Sequence, residues 1–386
     1  MAMRSKGHFE FYSYPKFIAG RKAMEHIPVE LDGFDAKRPM VVTSQRAADK
    51  GLVKKFITAL EESNVVVAGL VDGVPDYVPL DLVERISGLF KMRECDSIIA
   101  IGGSGVMNFA KALNVTVSLD YNLKKGLSDI PFGSTLKPLF YVAAIEADGW
   151  ECTNTAFIEG IPVTDDTLYP ELVCIDKSMG LPYDPASFYY SAVESIAVCV
   201  EASASIDDNP MIDAFSFAAI QLINGNLPTL IKKPCNKAAA LSVQNGIASA
   251  GVVRANSEKG IISLASEYLS KESGLSTGMI SSALLPALVQ YMIKTKTPVR
   301  DSLLLSLEGI PAYCAAPAKE KTAKILESLK KISSGPAKNS PAGLRAMKVQ
   351  EHLIEKCALY VEEGSNKKIS RKQAAEILSI AYTAAV

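Results

Sequence analysis

The stretch "SIIAIGGSGVMNFAKALN", Ser97–Asn114, decides how the chain is read. Four apolar residues, Ile98 to Ile101, run into Gly102, Gly103, Ser104 and Gly105, and a helical pattern then begins. Glycines remove the Cβ atoms that hold a phosphate away from the backbone. The helix that follows aims its unpaired N–H groups and its positive end at the turn. The spacing Gly103-x-Gly105-x-x-Asn108 lacks the third glycine of a Rossmann fingerprint, and no Gly-Lys-Ser/Thr follows as in a P-loop. A ligand-free strand-to-helix turn would read the same way, so the turn is a candidate and not yet a site.

Working outward, the first half alternates short apolar strands with amphipathic helices. "FEFYSYPKFIAG" suggests an edge strand or a hairpin, and "PMVVTS" a buried strand. "DKGLVKKFITALEES" follows, with Leu52, Phe56, Ile57 and Leu60 as its apolar face. A second strand at "NVVVAGLVDGV", a second helix at "VPLDLVERISGLFKMREC" and the strand before the glycines complete the alternation. Further strands are expected at "PLFYVAA", "NTAFIEG" and "ELVCID". This order predicts a parallel sheet with right-handed crossovers. Past "GLPYDPAS" only helical segments of ten or more residues are found. The expected architecture is α/β, a Rossmann-like parallel-sheet domain over residues 1–182 and an all-helical domain over 183–386. Ligand chemistry is expected in the cleft between them, at the carboxyl ends of the strands.

Composition narrows the function classes. A net charge of −1 over 386 residues gives no basic surface for nucleic acid or an anionic membrane. The opening "MAMRSKGHFEFYSYPK" has no apolar core of a secretory signal, and "SSALLPALVQYMI" is too short to span a bilayer. A cytoplasmic chain handling a small molecule is the expectation. Seven scattered cysteines without a CxxC read as reduced, mostly buried thiols. Histidines number three: His8, His26 and His352. "LKKISSGPAKNSPAGLRAMK" reads as a flexible loop.

With these residues in view, "DSIIAIGGSGVMNFAKALN" resembles the GGGSxxDxAK segment of the iron-dependent alcohol dehydrogenases, relatives of dehydroquinate synthase. The resemblance covers nearly the whole chain, including "FEFYSYPKFIAGRKAMEHI", "PELVCIDKSMGLPYDPAS" and "NPMIDAFSFAAIQLINGNLP". It implies a dinucleotide-binding domain, a helical metal and substrate domain, and a dimer through the amino-terminal hairpin, with itself or an active paralogue. In that family one carboxylate and three imidazoles hold a divalent metal that polarises the substrate oxygen. The carboxylate matches Glu194, the imidazoles match Val198, Ser263 and Thr277, and a further histidine matches Glu267. Valine offers no donor and neutral hydroxyls bind such ions weakly, so no family-type metal is expected.

The resemblance also locates the cofactor. Gly102, Gly103, Ser104, Gly105 and Asn108 form the first phosphate turn, and Asn108 stands where the family carries Asp. The family's PTTAGTGSE loop matches Ala143 to Glu151, keeping Gly149 and Glu151, with Thr153 just beyond. Glu146 and Asp148 bring negative charge to that loop, which disfavours a diphosphate. Ser44 replaces the acid that binds an adenosine ribose, and with Arg46 it leans toward NADP over NAD. Glu194 and Glu267 are the candidate acid and base, with Tyr189, Tyr190 and Tyr268 as other proton donors. Glu201 matches a position of structural character. Three readings stay open: a metal-free oxidoreductase of a small alcohol or aldehyde, an inactive paralogue with a structural, scaffolding or sensing role, and a lyase or cyclase.

Overall fold

A computed structural model describes residues 8–144, 147–180, 185–204, 209–337 and 340–384. Eight strands are found there: β1 (Lys16–Gly20), β2 (Pro39–Thr43), β3 (Gly69–Val71), β4 (Ser97–Gly102), β5 (Leu139–Ala143), β6 (Thr155–Ile158), β7 (Ile161–Thr164) and β8 (Leu172–Asp176). Helices in the first half are α1 (Ile27–Asp32), α2 (Gln45–Asp49), α3 (Leu52–Leu60), α4 (Leu80–Met92) and α5 (Ser104–Leu119). The rest are α6 (Pro185–Ser203), α7 (Pro210–Lys232), α8 (Lys237–Asn256), α9 (Ile261–Ser273), α10 (Thr277–Thr295), α11 (Ser302–Ala315), α12 (Ala318–Ser333), α13 (His352–Gly364) and α14 (Arg371–Thr383).

Six strands form one parallel sheet in the order β1-β8-β5-β4-β2-β3. β2, β4, β5 and β8 are buried along their whole length, which is why they read as unbroken apolar runs. From β2 the chain steps to β3 on one side, then crosses back to β4 on the other. The carboxyl ends of β2 and β4 therefore flank a topological switch point. Of the two readings of the amino-terminal segment, the edge strand forms: β1 pairs only with β8, and described residues 8–15 add no strand. "NTAFIEG" differs from its expected place in the main sheet. It forms β6, which pairs antiparallel with β7 across Glu159 and Gly160. Both turn residues have positive φ, 50° and 78°, as a tight hairpin turn requires. The expected second strand shrinks to β3.

α3 buries Leu52, Val53, Phe56 and Leu60. Ile57, expected on that face, is instead exposed. It lies at the edge of the arc those four residues define, and Val53 takes its place.

The chain divides into two compact units that are not simple halves. One, the α/β unit, holds residues 13–183 together with 235–255, so most of α8 joins the sheet domain. The other, helical unit, holds 1–12, 184–234 and 256–386. The position expected for the boundary, around 182, lies outside the described residues. Two close contacts fix α8 in its unit. A Cβ on Gly251 would sit 2.3 Å from the Gly149 carbonyl oxygen, and the Arg254 guanidinium stacks 4.5 Å from the Trp150 ring centre. In the helical unit the amino-terminal segment is held at Tyr12, whose N–H and C=O both meet the Asn256 amide, at 2.7 and 2.8 Å.

Among the described residues α7 alone is long and apolar enough to cross a membrane by length and composition. It packs against α6 and α11 and carries an ion pair, Asp213 to Arg300 at 2.6 Å. All seven cysteines are free thiols and five are buried; Cys235 and Cys314 are exposed. Within the stretch expected as a flexible loop, Leu329 to Ser333 complete α12 and residues 338–339 lie outside the described set.

Candidate functional site

In the α/β unit Ser44 and the Gly102–Gly105 turn lie at the switch point, whereas Asn108, Gly149 and Thr153 are held elsewhere. β2 and β4 run in register, Thr43 beside Ile101, and the Thr43 hydroxyl donates to the Ile101 carbonyl at 2.6 Å. Ser44 and Gly102 therefore leave neighbouring strands side by side. The Gly102 carbonyl accepts from the Tyr141 hydroxyl and from the Ala144 N–H, which fixes the turn against β5. Gly103 is extended and stands at the N-cap of α5 without a side-chain acceptor. The first-turn N–H groups of a 16-residue helix are thus left without a capping side chain. Ser104 is the first residue of that helix.

Two of the glycines also have packing reasons. A Cβ on Gly102 would meet Val106 Cγ2 at 2.7 Å, and one on Gly105 would meet the Asp76 backbone at 2.7 Å. Ser44 accepts the Ala47 N–H at 3.2 Å and so caps α2. Asn108 accepts the Phe157 N–H at 3.1 Å, tying α5 to β6.

The second loop is held by two buried titratable side chains, Glu151, which the resemblance to the family loop had named, and Lys111, which the sequence reading had not. Lys111, on α5, is 1% exposed and donates to the carbonyls of Thr153 and Thr155, at 2.7 and 2.8 Å. Glu151 is also 1% exposed and accepts the Gly149 N–H at 3.0 Å. Burial lowers the Lys111 pKa to about 7 and raises that of Glu151 to about 7. The Asp148 carboxylate adds to the rise at Glu151, while its own backbone contacts and Lys111 oppose it. Asp148 in turn accepts the Trp150 N–H at 3.3 Å, and the Thr153 hydroxyl donates to the Trp150 carbonyl at 2.9 Å. Gly149 adopts φ +92° against α8, a conformation that favours glycine. Glu146 lies outside the described residues. Lys111 was legible in principle, as the one cation in an otherwise apolar run of α5.

In the helical unit the candidate carboxylates are drawn to different partners. The Thr277 hydroxyl donates to Glu194 Oε2 at 2.7 Å. Glu267 pairs with the Lys259 ammonium at 2.6 Å. Glu201 accepts the N–H groups of Ile262 and Ser263 and the Ser263 hydroxyl, the last at 2.7 Å. It therefore caps the amino terminus of α9, a structural task. Gly260 leaves room for it, since a Cβ there would sit 2.5 Å from the Glu201 carboxyl carbon. Tyr189 donates to the Ile332 carbonyl, and burial pushes its phenol up to about 12. Burial likewise raises Tyr268.

Residues 15–177 match the model of the iron-containing alcohol dehydrogenases, and residues 188–383 match the carboxyl-terminal model of the same family. The chain belongs to the iron-containing alcohol dehydrogenase family. Among its relatives, the NAD-dependent methanol dehydrogenase of Bacillus methanolicus is 23% identical over 355 residues, 89% of this chain and 91% of that protein. Long-chain-alcohol dehydrogenase 1 of Geobacillus thermodenitrificans is 22% identical, covering 78% and 77%. Solved structures share the fold. NADH-dependent butanol dehydrogenase A of Thermotoga maritima superposes with a TM-score of 0.77 at 19% identity, over 97% of this chain and 99% of that one. An alcohol dehydrogenase of Oenococcus oeni gives 0.81 at 17%, over 97% and 100%. A parallel-sheet domain followed by a helical domain is the architecture of this family, and the chain has it.

At the positions the resemblance assigned to the family's metal, the side chains are engaged with each other or with α9. Glu194 is joined to Thr277, Ser263 is joined to Glu201, and Val198 is a buried apolar side chain. One carboxylate beside hydroxyls and valine is a poor donor set for zinc or iron.

Proposed function

We propose that this chain is a nicotinamide-dinucleotide-dependent oxidoreductase acting on a small alcohol or aldehyde without the metal of its family. The observation carrying the reading is the convergence of Ser44 and the Gly102–Gly105 turn at the carboxyl ends of β2 and β4, beneath the uncapped start of α5. A diphosphate fits such a turn, because the glycine backbone is open and the helix end favours negative charge. Uncharged Ser44 and exposed Arg46 support NADP over NAD, since an acid at the end of β2 would repel a 2′-phosphate. The donor set at Glu194 does not fit a divalent ion, so no step is assigned to one.

A bound dinucleotide supplies or takes the hydride at the carbinol carbon. The chain's own task is to hold the substrate oxygen and move its proton. Glu194, half-buried beside Thr277, and Glu267, beside Lys259, are the residues offered for it. The proposal includes a cytoplasmic dimer, formed with itself or a paralogue through the amino-terminal segment, where the expected hairpin is replaced by the edge strand β1.

A second reading has its own support. Both carboxylates are already engaged, Glu194 by a hydroxyl and Glu267 by an ammonium, as in a non-catalytic paralogue that serves as a structural or sensing subunit. Nucleotide fluorescence separates the two. Saturable NADPH binding, tighter than NADH, is expected, and no binding at millimolar nucleotide removes hydride transfer altogether. With NADPH and short aldehydes, Glu267→Gln is expected to lower turnover about 100-fold while leaving nucleotide binding unchanged. Stoichiometric zinc or iron in the purified protein would overturn the metal-free assignment.

A further inference from the structure

The α/β unit holds a concentration of positive charge that takes no part in the site above. A cavity of about 810 Å³ lies between α3, the turn at Arg21–Glu25, the end of β8 and the start of α8. Seven of its lining side chains are cationic and two are anionic, in a chain whose net charge is −1. Both anions are engaged. Glu25 pairs with Lys22 at 2.7 Å. Asp176 accepts the Met24 N–H at 3.2 Å and both the N–H and the hydroxyl of Ser178 at 2.7 Å. Among the described residues Lys54, Lys177 and Lys237 have no carboxylate within ion-pair distance.

Lys55, on α3, is one of the cations lining the cavity and feels the charge of Lys237 and of Asp176. Its ammonium donates to the Ser178 carbonyl at 2.9 Å, which leaves two of its three donors for a ligand. Burial first, and then the charge of Lys237, lower its pKa, with Asp176 opposing. Cations brought together from α3, α8 and the β8 end repel one another, and an anion between them would relieve that repulsion. The volume lies within the roughly 300–1,000 Å³ of small-molecule sites and is too large for one phosphate. Among the lining residues none is aromatic, so nothing is offered for a base to stack on.

We propose that this cavity binds a small molecule bearing two or more phosphoryl groups, held by Lys55, Lys177 and Lys237. It shares no residue with the glycine turn, so it would be a second anion site, independent of the dinucleotide reading.

The test is calorimetric titration of the full chain with inorganic tripolyphosphate, with sulfate at equal ionic strength as the control. Saturable tripolyphosphate binding is expected, weakening with added salt, and Lys55→Gln/Lys237→Gln is expected to reduce affinity at least about tenfold. Lys177→Gln, at a half-buried position just past β8, should weaken binding in the same direction and covers the case where the double variant fails to fold. Lys124→Gln, distant from the cavity, should change nothing. Equal heats from sulfate, equal loss in Lys124→Gln, or tripolyphosphate binding displaced by NADPH and indifferent to Lys55 and Lys237 would each overturn the proposal.

Discussion

Lys111 and Glu151 show what a single buried charge does in this protein. Each is removed from water, and each keeps hydrogen bonds to backbone groups of the loop between β5 and β6 or of the first residue of β6. Both titrate near neutrality because burial disfavours their charged forms. Glu151 has an ordinary value of 4.5 and a folded value of about 7. Between those two pH values the folded chain keeps a proton that the unfolded chain has released, so stability falls as pH rises from 4.5 to 7 and is level above. Glu151→Gln removes that dependence while leaving Lys111 in place. Denaturant unfolding at pH 5 and pH 8 should show wild type losing ground to the variant on the alkaline side, by on the order of 3 kcal/mol. A difference that does not change with pH would mean Glu151 is charged in the fold.

At the scale of elements, helix ends account for several polar residues that a functional reading would otherwise claim. Ser44 caps α2 and Glu201 caps α9, while Gly103 leaves α5 with no side-chain cap. The contrast is informative, because only the uncapped end faces the switch point with its donors available. Glu201→Ala removes the acceptor for Ile262, Ser263 and the Ser263 hydroxyl. It should destabilise the helical unit by about 1–2 kcal/mol, read as a lower denaturation midpoint, and leave nucleotide binding untouched. Loss of NADPH binding in that variant would place Glu201 in the site. The Thr277–Glu194 hydrogen bond likewise links α10 to α6, where the family resemblance expects ligands to converge.

At the scale of the molecule, the two compact units each draw on separated stretches of chain. The α/β unit needs α8, whose Gly251 crosses Gly149 and whose Arg254 stacks on Trp150. Residues 13–183 expressed alone would lose the contacts that Gly251 and Arg254 make with Gly149 and Trp150. Circular dichroism of that fragment should show no cooperative thermal transition, whereas the full chain should show one. A sharp transition in the fragment would mean that α8 is dispensable to the sheet.

The linear order of residues was enough for most of the architecture. Continuous apolar runs marked β2, β4, β5 and β8, helical spacing marked α4 and the second half, and the glycines after β4 marked the turn. These features are local, because each strand or helix writes its own period into the chain. The family was legible for the same reason, as was the scarcity of histidine. The sequence could not say that Ser44 would leave its strand beside Gly102, that Glu194 and Glu267 would find separate partners, or that α8 would join the α/β unit. Nor could it gather Lys55, Lys177 and Lys237 around one cavity. Those outcomes join residues far apart in the chain, and their partners are chosen by packing and desolvation, which operate only once the units have closed.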